Sequence, residues 1–204
     1  MEFGVTNETL KGLAAKMIPA AYAEVHDIDE RVFAINGGLC DFADKGEWRG
    51  LMGVLAEIVK ENFAVRDSVE GEKVVQSTLV ALLCAAGGPY FVRHEREAGG
   101  GFYDIALVPQ LDRWSDIAHA ALMEMKYVKT ADTAPSPESL AKIKSDAIAQ
   151  LDRYSTDPNL VAGWHLVPQT SNCQTVKLLN SQTITLHRLV LVFHGGNCVL
   201  CEEV

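Results

Sequence analysis

Positive charge is scarce in this chain: 18 Lys and Arg stand against 27 Asp and Glu, a formal net charge of −9. A protein that coats nucleic acid needs the opposite balance, because neutralising phosphates supplies most of that binding. An enzyme acting on nucleic acid is not excluded. Acids that hold metal ions add negative charge, and basic residues occur locally at Arg93, Arg96, Lys126, Lys129, Lys142 and Lys144. A run of about 18 apolar residues is also lacking, so no membrane span is expected. Met1-Glu2-Phe3-Gly4 lacks the basic start and apolar stretch of a secretory signal. Cysteine is sparse and odd in number, at positions 40, 84, 173, 198 and 201. That pattern points to a reducing cytoplasm rather than a disulfide framework. No Gly-x-x-x-x-Gly-Lys-Ser/Thr loop and no Gly-x-Ser-x-Gly elbow is present, which removes the nucleotide-binding loop and the elbow-type serine hydrolase. Internal repeats and low-complexity segments are absent as well.

What is present is an ordinary core-forming composition. Of 204 residues, 48% are hydrophobic, enough for one large domain or a domain with a helical appendage. Residues 1–65 read as helical. Glu8 to Glu24 carries Leu10, Leu13, Met17 and Ala21 at helical spacing, interrupted by Pro19. Asp29 to Asn36 reads as a short helix or turn closed by Gly37-Gly38. Glu47 to Asn62 is clearer: Trp48, Leu51, Met52, Leu55, Ile58 and Val59 form one stripe, which is a core face. Asp67, Ser68 and Gly71 mark a boundary, so a helical segment over 1–65 and a second unit over 66–204 are expected.

The second unit opens on a helix, Glu72 to Ala86, with Val75, Leu79, Leu82 and Leu83 inward. Glu72 continues that face, one turn before Gln76; a first-turn acid favoured by the helix dipole is the plainer account of it. Gly87-Gly88-Pro89 stops the helix. Tyr90 to Glu97 and Phe102 to Pro109 read as a hairpin turning at Ala98–Gly101. Gln110–Asp116 is turn-like, and Ile117–Val128 is a third strand beside Phe102–Pro109. Ser136 is placed to cap a helix beginning at Pro137. That helix, Glu138 to Tyr154, turns Leu140, Ile143, Ala147, Leu151 and Tyr154 to one face, with Gln150 on its border. Leu160–Val167 is expected as a strand, Pro168–Lys177 as loop, Ile184–Phe193 as a strong strand and Cys198–Glu202 as a short last one. Helix, three strands, helix, strand gives a mixed sheet flanked by helices.

Two stretches carry chemistry: Gly101-Phe102-Tyr103-Asp104-Ile105-Ala106-Leu107-Val108 and Met123-Glu124-Met125-Lys126. Strand side chains alternate, so Glu124 and Lys126 share a face and the two methionines take the other. Singly, Asp104 reads as a turn residue and Glu124-x-Lys126 as a solvated pair. Yet Glu124 lies inside the mostly apolar run Ala118–Val128, where an acid and an amine need partners. Two carboxylates and one cation on adjacent strands are the inventory for holding Mg²⁺ and an activated water against a phosphodiester. A zinc site on Cys198-x-x-Cys201 is the weaker idea. Three residues apart in a regular strand, the two sulfurs face opposite sides and cannot share a metal, and Cys173, His187 and His194 complete no familiar spacing.

The order of Glu72, Asp104, Glu124, Lys126 and Gln150 along these elements resembles the PD-(D/E)XK nuclease superfamily. The stretches Arg96–Asp104, Glu124–Tyr127, Asp146–Leu151 and Leu189–His194 with Gly195-Gly196 are most similar to the nuclease-like domain C-terminal to predicted AAA-ATPase-like proteins of bacteria and archaea. The likeness covers roughly residues 47–200. It implies a restriction-endonuclease-like α/β fold with an N-terminal helical segment, and metal-dependent cleavage of nucleic acid, DNA first. By that resemblance Asp104 and Glu124 hold Mg²⁺ or Mn²⁺ and Glu72 assists at the metal. Lys126 orients the attacking water or offsets charge, and Gln150 is accessory. An ATPase or a second copy of the chain is implied as a partner. Phe102 stands where the relatives carry Arg, two residues before the Asp. The competing reading is a catalytically inactive module that keeps the fold for protein–protein interaction or regulation.

Overall fold

A computed structural model describes residues 30–63, 71–129, 132–157, 160, 166–168, 175–178 and 183–204. The expected helix over Glu8–Glu24 and the boundary at 65/66 lie outside them. Four helices and seven strands are described: α1 (Glu30–Lys45), α2 (Trp48–Asn62), α3 (Gly71–Ala86), β1 (Tyr90–Ala98), β2 (Gly101–Pro109), β3 (His119–Val128), α4 (Pro137–Ser155), β4 (Leu166–Pro168), β5 (Thr175–Leu178), β6 (Thr183–His194) and β7 (Asn197–Glu203). None of these helices is long and apolar enough to cross a membrane.

The strands form one mixed sheet in the order β1-β2-β3-β6-β5-β4, with β7 also on β6. β1, β2 and β3 are antiparallel neighbours, and β3 runs parallel to β6 from His119 opposite Thr185 to Val128 opposite His194. The other edge of β6 is shared: β5 takes its start, Thr183–Thr185, and β7 its end, Leu189–His194. The β1–β2 turn is Gly99-Gly100 with φ of +56° and +76°, two left-handed residues in a row. Two such residues match the twist of a tight hairpin, and glycine adopts them without cost.

Helices cover both faces. On one, Ile35, Leu39 and Phe42 of α1, the α2 stripe, and Val75, Leu79 and Leu83 of α3 pack against Ile105, Leu107, Met123, Met125, Leu189, Leu191 and Phe193. On the other, Ala147, Leu151 and Tyr154 of α4 pack against Tyr103, Ala106, Val108, Leu122, Val190 and Val192. All six α2 stripe residues are buried as their spacing demands. The α4 cap is also as read: Ser136 Oγ accepts from the Ser139 N–H at 3.2 Å, with Pro137 at the first helical position.

Three expectations are corrected. Gly37-Gly38 does not end a helix; α1 runs through both to Lys45. A β-carbon on Gly38 would stand 3.1 Å from Leu51 Cβ, so this glycine lets α1 and α2 approach closely instead of turning the chain. Pro168–Lys177 is not all loop, because Thr175–Leu178 forms β5, a Thr-Val-Lys-Leu alternation suited to a strand. The strand expected over Leu160–Val167 is confined to Leu166–Pro168 among the described residues, and Leu160 has helical backbone.

Candidate active site

Asp104 sits where two strand ladders lapse together. Pairing of β2 with β3 covers only Ile105–Leu107 against Ala121–Met123. On the other side the β1–β2 register continues past Asp104, but Glu95, the residue opposite, makes no ladder pair. Its φ is +46°, the one positive value at a non-glycine residue among those described. Such a backbone is uncommon outside glycine and asparagine, and strain of this kind gathers at functional sites. Tyr103 and Ala106 share the α4 face though three residues apart, which shows the same break in alternation. The freed carboxylate turns into the gap: Asp104 Oδ2 accepts the Met125 backbone N–H at 2.7 Å. From α3, Gln76 Nε2 donates to Asp104 Oδ1 at 3.2 Å.

Glu124 is 2% exposed, an acid held within β3. Lys126, two residues on and therefore on the same face, donates from Nζ to Glu124 Oε1 at 2.6 Å and to Gln150 Oε1 of α4 at 2.9 Å. Glu124 Oε2 is buried with no hydrogen-bond partner among the described residues. Burial, opposed by the Met125 N–H and the Lys126 charge, pushes Asp104 up to about 6. Burial and then the Asp104 charge push Glu124 up to about 7, against the pull of Lys126. The two acids thus repel each other in a poorly hydrated space that one ammonium does not neutralise.

The residues expected to converge do so in large part. Asp104, Glu124, Lys126 and Gln150 form one connected cluster. Glu72 differs from expectation: it is exposed rather than turned inward, and only its charge reaches Asp104 and Glu124. In the first turn of α3 the buried residue is Gly71, against Tyr127, and the inward positions one turn later are Val75 and Gln76. Sequence reasoning passed over Gln76, although an amide between Val75 and Leu79 on a buried stripe is a visible anomaly. It passed over Tyr154 too, one turn after Gln150. The hydroxyl of Tyr154 would lie 3.0 Å from a β-carbon on Gly101. Burial and the charges of Glu124 and Asp104 raise its phenol above the usual range, which places it beside the same acids.

The donor set suits a hard divalent cation. Among the described residues no group of three or more His, Cys, Asp or Glu stands ready to hold a metal. Mg²⁺ keeps most of its waters and needs only one or two carboxylates, so Asp104 and Glu124 suffice, with the orphaned Glu124 Oε2 as the available atom. Oxygen donors without sulfur or imidazole favour Mg²⁺ or Mn²⁺ over zinc.

Residues 70–203 match the family described as the PD-(D/E)XK nuclease superfamily. No curated protein and no solved structure matches the chain. Members of that superfamily act on nucleic acid and generally use divalent metal ions. With about two thirds of its length inside the match, and with the sheet order and acid cluster described above, the chain belongs to the PD-(D/E)XK nuclease superfamily.

Proposed function

We propose that this protein hydrolyses phosphodiester bonds in nucleic acid, DNA as the preferred substrate, using Mg²⁺ or Mn²⁺ held by Asp104 and Glu124. One observation carries the reading: among the described residues a carboxylate oxygen, Glu124 Oε2, is buried without a hydrogen-bond partner beside a second, half-buried acid. Ionising both acids here costs roughly 3–5 kcal/mol unless positive charge beyond that of Lys126 offsets it. A divalent ion held by Asp104 and Glu124 would supply positive charge to the phosphate and lower the pKa of a bound water.

The chain's own groups then divide the work. Asp104 is fixed by Met125 and Gln76, so its carboxylate is set before anything binds. Lys126 holds an ammonium beside Glu124, where it orients a water for attack or offsets charge building on the phosphorus. Gln150 steers Lys126 from α4. Glu72, exposed in the first turn of α3, assists at the metal through its charge, which reaches both acids. Cytoplasmic location and the association with an ATPase or a second copy belong to this reading as well.

The test is cleavage of labelled single-stranded and duplex DNA with and without Mg²⁺ or Mn²⁺, alongside calorimetric metal binding. Wild-type binding that Asp104→Asn and Glu124→Gln both abolish, together with metal-dependent cleavage, is the expected result. Absence of binding at millimolar metal, with nucleic acid present, would leave an inactive module on this fold. The 63% exposure of Phe102, where relatives carry Arg, and the net charge of −9 are the features that would then matter.

A further inference from the structure

The break in the ladders at Asp104 also sorts the charges of β1. Arg93 lies opposite Ala106 and Arg96 opposite Tyr103. Residues directly opposite in an antiparallel pair share a face, and Ala106 and Tyr103 both lie on the α4 side. Two arginines three apart, which a regular strand would send to opposite faces, therefore stand on one. Phe91, opposite Val108, begins that face, and Ala98 ends it in the core under α4. His94 takes the other side, opposite Ile105, and so does Glu97, between Arg96 and Ala98. Glu95, at the break, is the one acid between the arginines in the chain, and its charge reaches Asp104.

This face of β1 is open. The strand is first in the sheet order, and α4 lies over β2, β3 and β6. Phe91 is 48% exposed, and both arginines are exposed. Among the described residues no ion pair or side-chain hydrogen bond engages either guanidinium. In a chain where acids outnumber bases, two such arginines side by side are an anomaly. Their charges oppose the upward push of burial on the Tyr103 phenol, so they lie beside the strand that carries Asp104. The hairpin end is held firmly: the Gly99 N–H donates to Asp157 Oδ2 at 2.6 Å, and a β-carbon on Gly99 would stand 2.7 Å from the Arg153 carbonyl oxygen. Lys126, bonded to Gln150 of α4, is on the same side of the sheet.

We infer that Phe91, Arg93 and Arg96 form the track along which an unpaired DNA strand reaches the acid cluster, an inference that rests on the nuclease reading. A guanidinium matches a phosphate with two parallel hydrogen bonds. Strand rise sets the two arginines roughly 10 Å apart along β1, so they engage separate phosphates rather than one. The Phe91 ring supplies a surface on which a base stacks. Alternating positive charge and aromatic rings is how single strands are held without regard to sequence. Bases within a duplex are already stacked on one another, so the ring favours an unpaired strand.

The experiment follows the anisotropy of labelled single-stranded and duplex DNA with the full-length Asp104→Asn protein, without metal, over a series of salt concentrations. Single-stranded DNA should bind about fivefold or more tightly than duplex, the scale of one stacked base. Arg93→Gln and Arg96→Gln should each make the log–log salt slope shallower by about 0.7, the value of one phosphate contact on a single strand. Arg93→Lys and Arg96→Lys should restore it. Phe91→Leu should weaken binding about fivefold or more and leave the slope unchanged. Arg113→Gln, an exposed arginine at the other end of the hairpin, should change neither quantity. No binding of either DNA, duplex held as tightly as single strand, or an unchanged slope in Arg93→Gln/Arg96→Gln would overturn the inference. Because both arginines are exposed, the slopes decide the matter even if Phe91→Leu folds poorly. Cleavage by the chain with Asp104 intact is scored separately. Binding on the track without any cutting removes the nuclease reading alone, and cutting with an unchanged KM after loss of both arginines removes the track alone.

Discussion

At the scale of single residues the site is a balance of acids against one amine. Both acids have folded-state pKa values above the ordinary carboxylate range, about 6 for Asp104 and about 7 for Glu124. The sign follows from linkage: their contribution to stability is present below the unfolded value and lost as pH rises through the folded one. The metal-free protein should therefore lose several degrees of melting temperature, relative to an Asp104→Asn/Glu124→Gln variant, between about pH 4 and pH 7. Mg²⁺ should restore the difference most strongly at the alkaline end, because it binds the deprotonated carboxylates. Equal melting curves across that range would argue against a repelling acid pair. Lys126→Met removes the only side-chain donor to Glu124 among the described hydrogen bonds. It should lower cleavage by about 100-fold or more, the scale typical of losing a positioned charge, while leaving wild-type secondary structure by circular dichroism. Gln76→Leu should weaken metal binding less than Asp104→Asn does, since it loosens a ligand without deleting it.

At the scale of elements, close packing of α1 on α2 depends on Gly38. Replacing it with valine forces branched carbons into Leu51, whose Cα and Cβ lie 3.2 and 3.1 Å from the nearest added atom. Backbone cannot yield as a side-chain tip does, so Gly38→Val should cost about 1–3 kcal/mol in chemical denaturation. Gly37→Ala, in open space, should cost little. The pair shows what the sequence could convey. Stripes on α2, α3 and α4 were legible because apolar spacing reports burial directly. The Ser136-Pro137 cap and the Gly99-Gly100 turn were legible because each residue type suits one local geometry. Gly37-Gly38 misled because glycine has two uses, to turn a chain or to let another approach, and only the partner helix decides between them. The same holds for Cys198 and Cys201, which both pack against the core formed with α1, α2 and α3 instead of facing opposite sides, because a bulge against β6 leaves Val199 as an extra residue between them. Of the site, the acids and Lys126 were legible from a charge set inside an apolar strand. Gln76 shows in the sequence only as an amide on a buried stripe, and Tyr154 only as a core residue, because their partners are set when α3 and α4 close over the sheet from opposite sides.

At the scale of the whole molecule, α1 and α2 share one core with the sheet, though the family match begins at residue 70. Their side chains cover Leu107, Met123 and Leu191 from the side opposite α4. Ties outside the core reinforce the join: Trp48 Nε1 donates to Glu203 at 2.9 Å, linking α2 to the final strand. A fragment starting at residue 66 should bare that face and aggregate or bind a hydrophobic dye, measured against the full chain by light scattering. A monomeric, cooperatively melting fragment would instead support two independent units. Net charge acts at this scale as well. With few basic groups near the acids, DNA affinity should fall with salt only gently, with a log–log slope of about −3 or shallower. Fluorescence titration over a range of salt concentrations measures it.

The lapse in both ladders at Asp104 also dictates how an inert form of this protein should be made. The carboxylate completes the hydrogen bonding of a neighbouring strand's main chain. Truncation to alanine therefore removes the proposed metal ligand and also orphans the Met125 N–H, and a lost signal would be ambiguous between chemistry and local unravelling. Asparagine retains an oxygen to accept that N–H and gives up the charge and the second acceptor, the one that faces Gln76 Nε2. Asp104→Asn is thus the form to use as a substrate trap: it should hold nucleic acid without cutting it, on a scaffold whose strands are still joined.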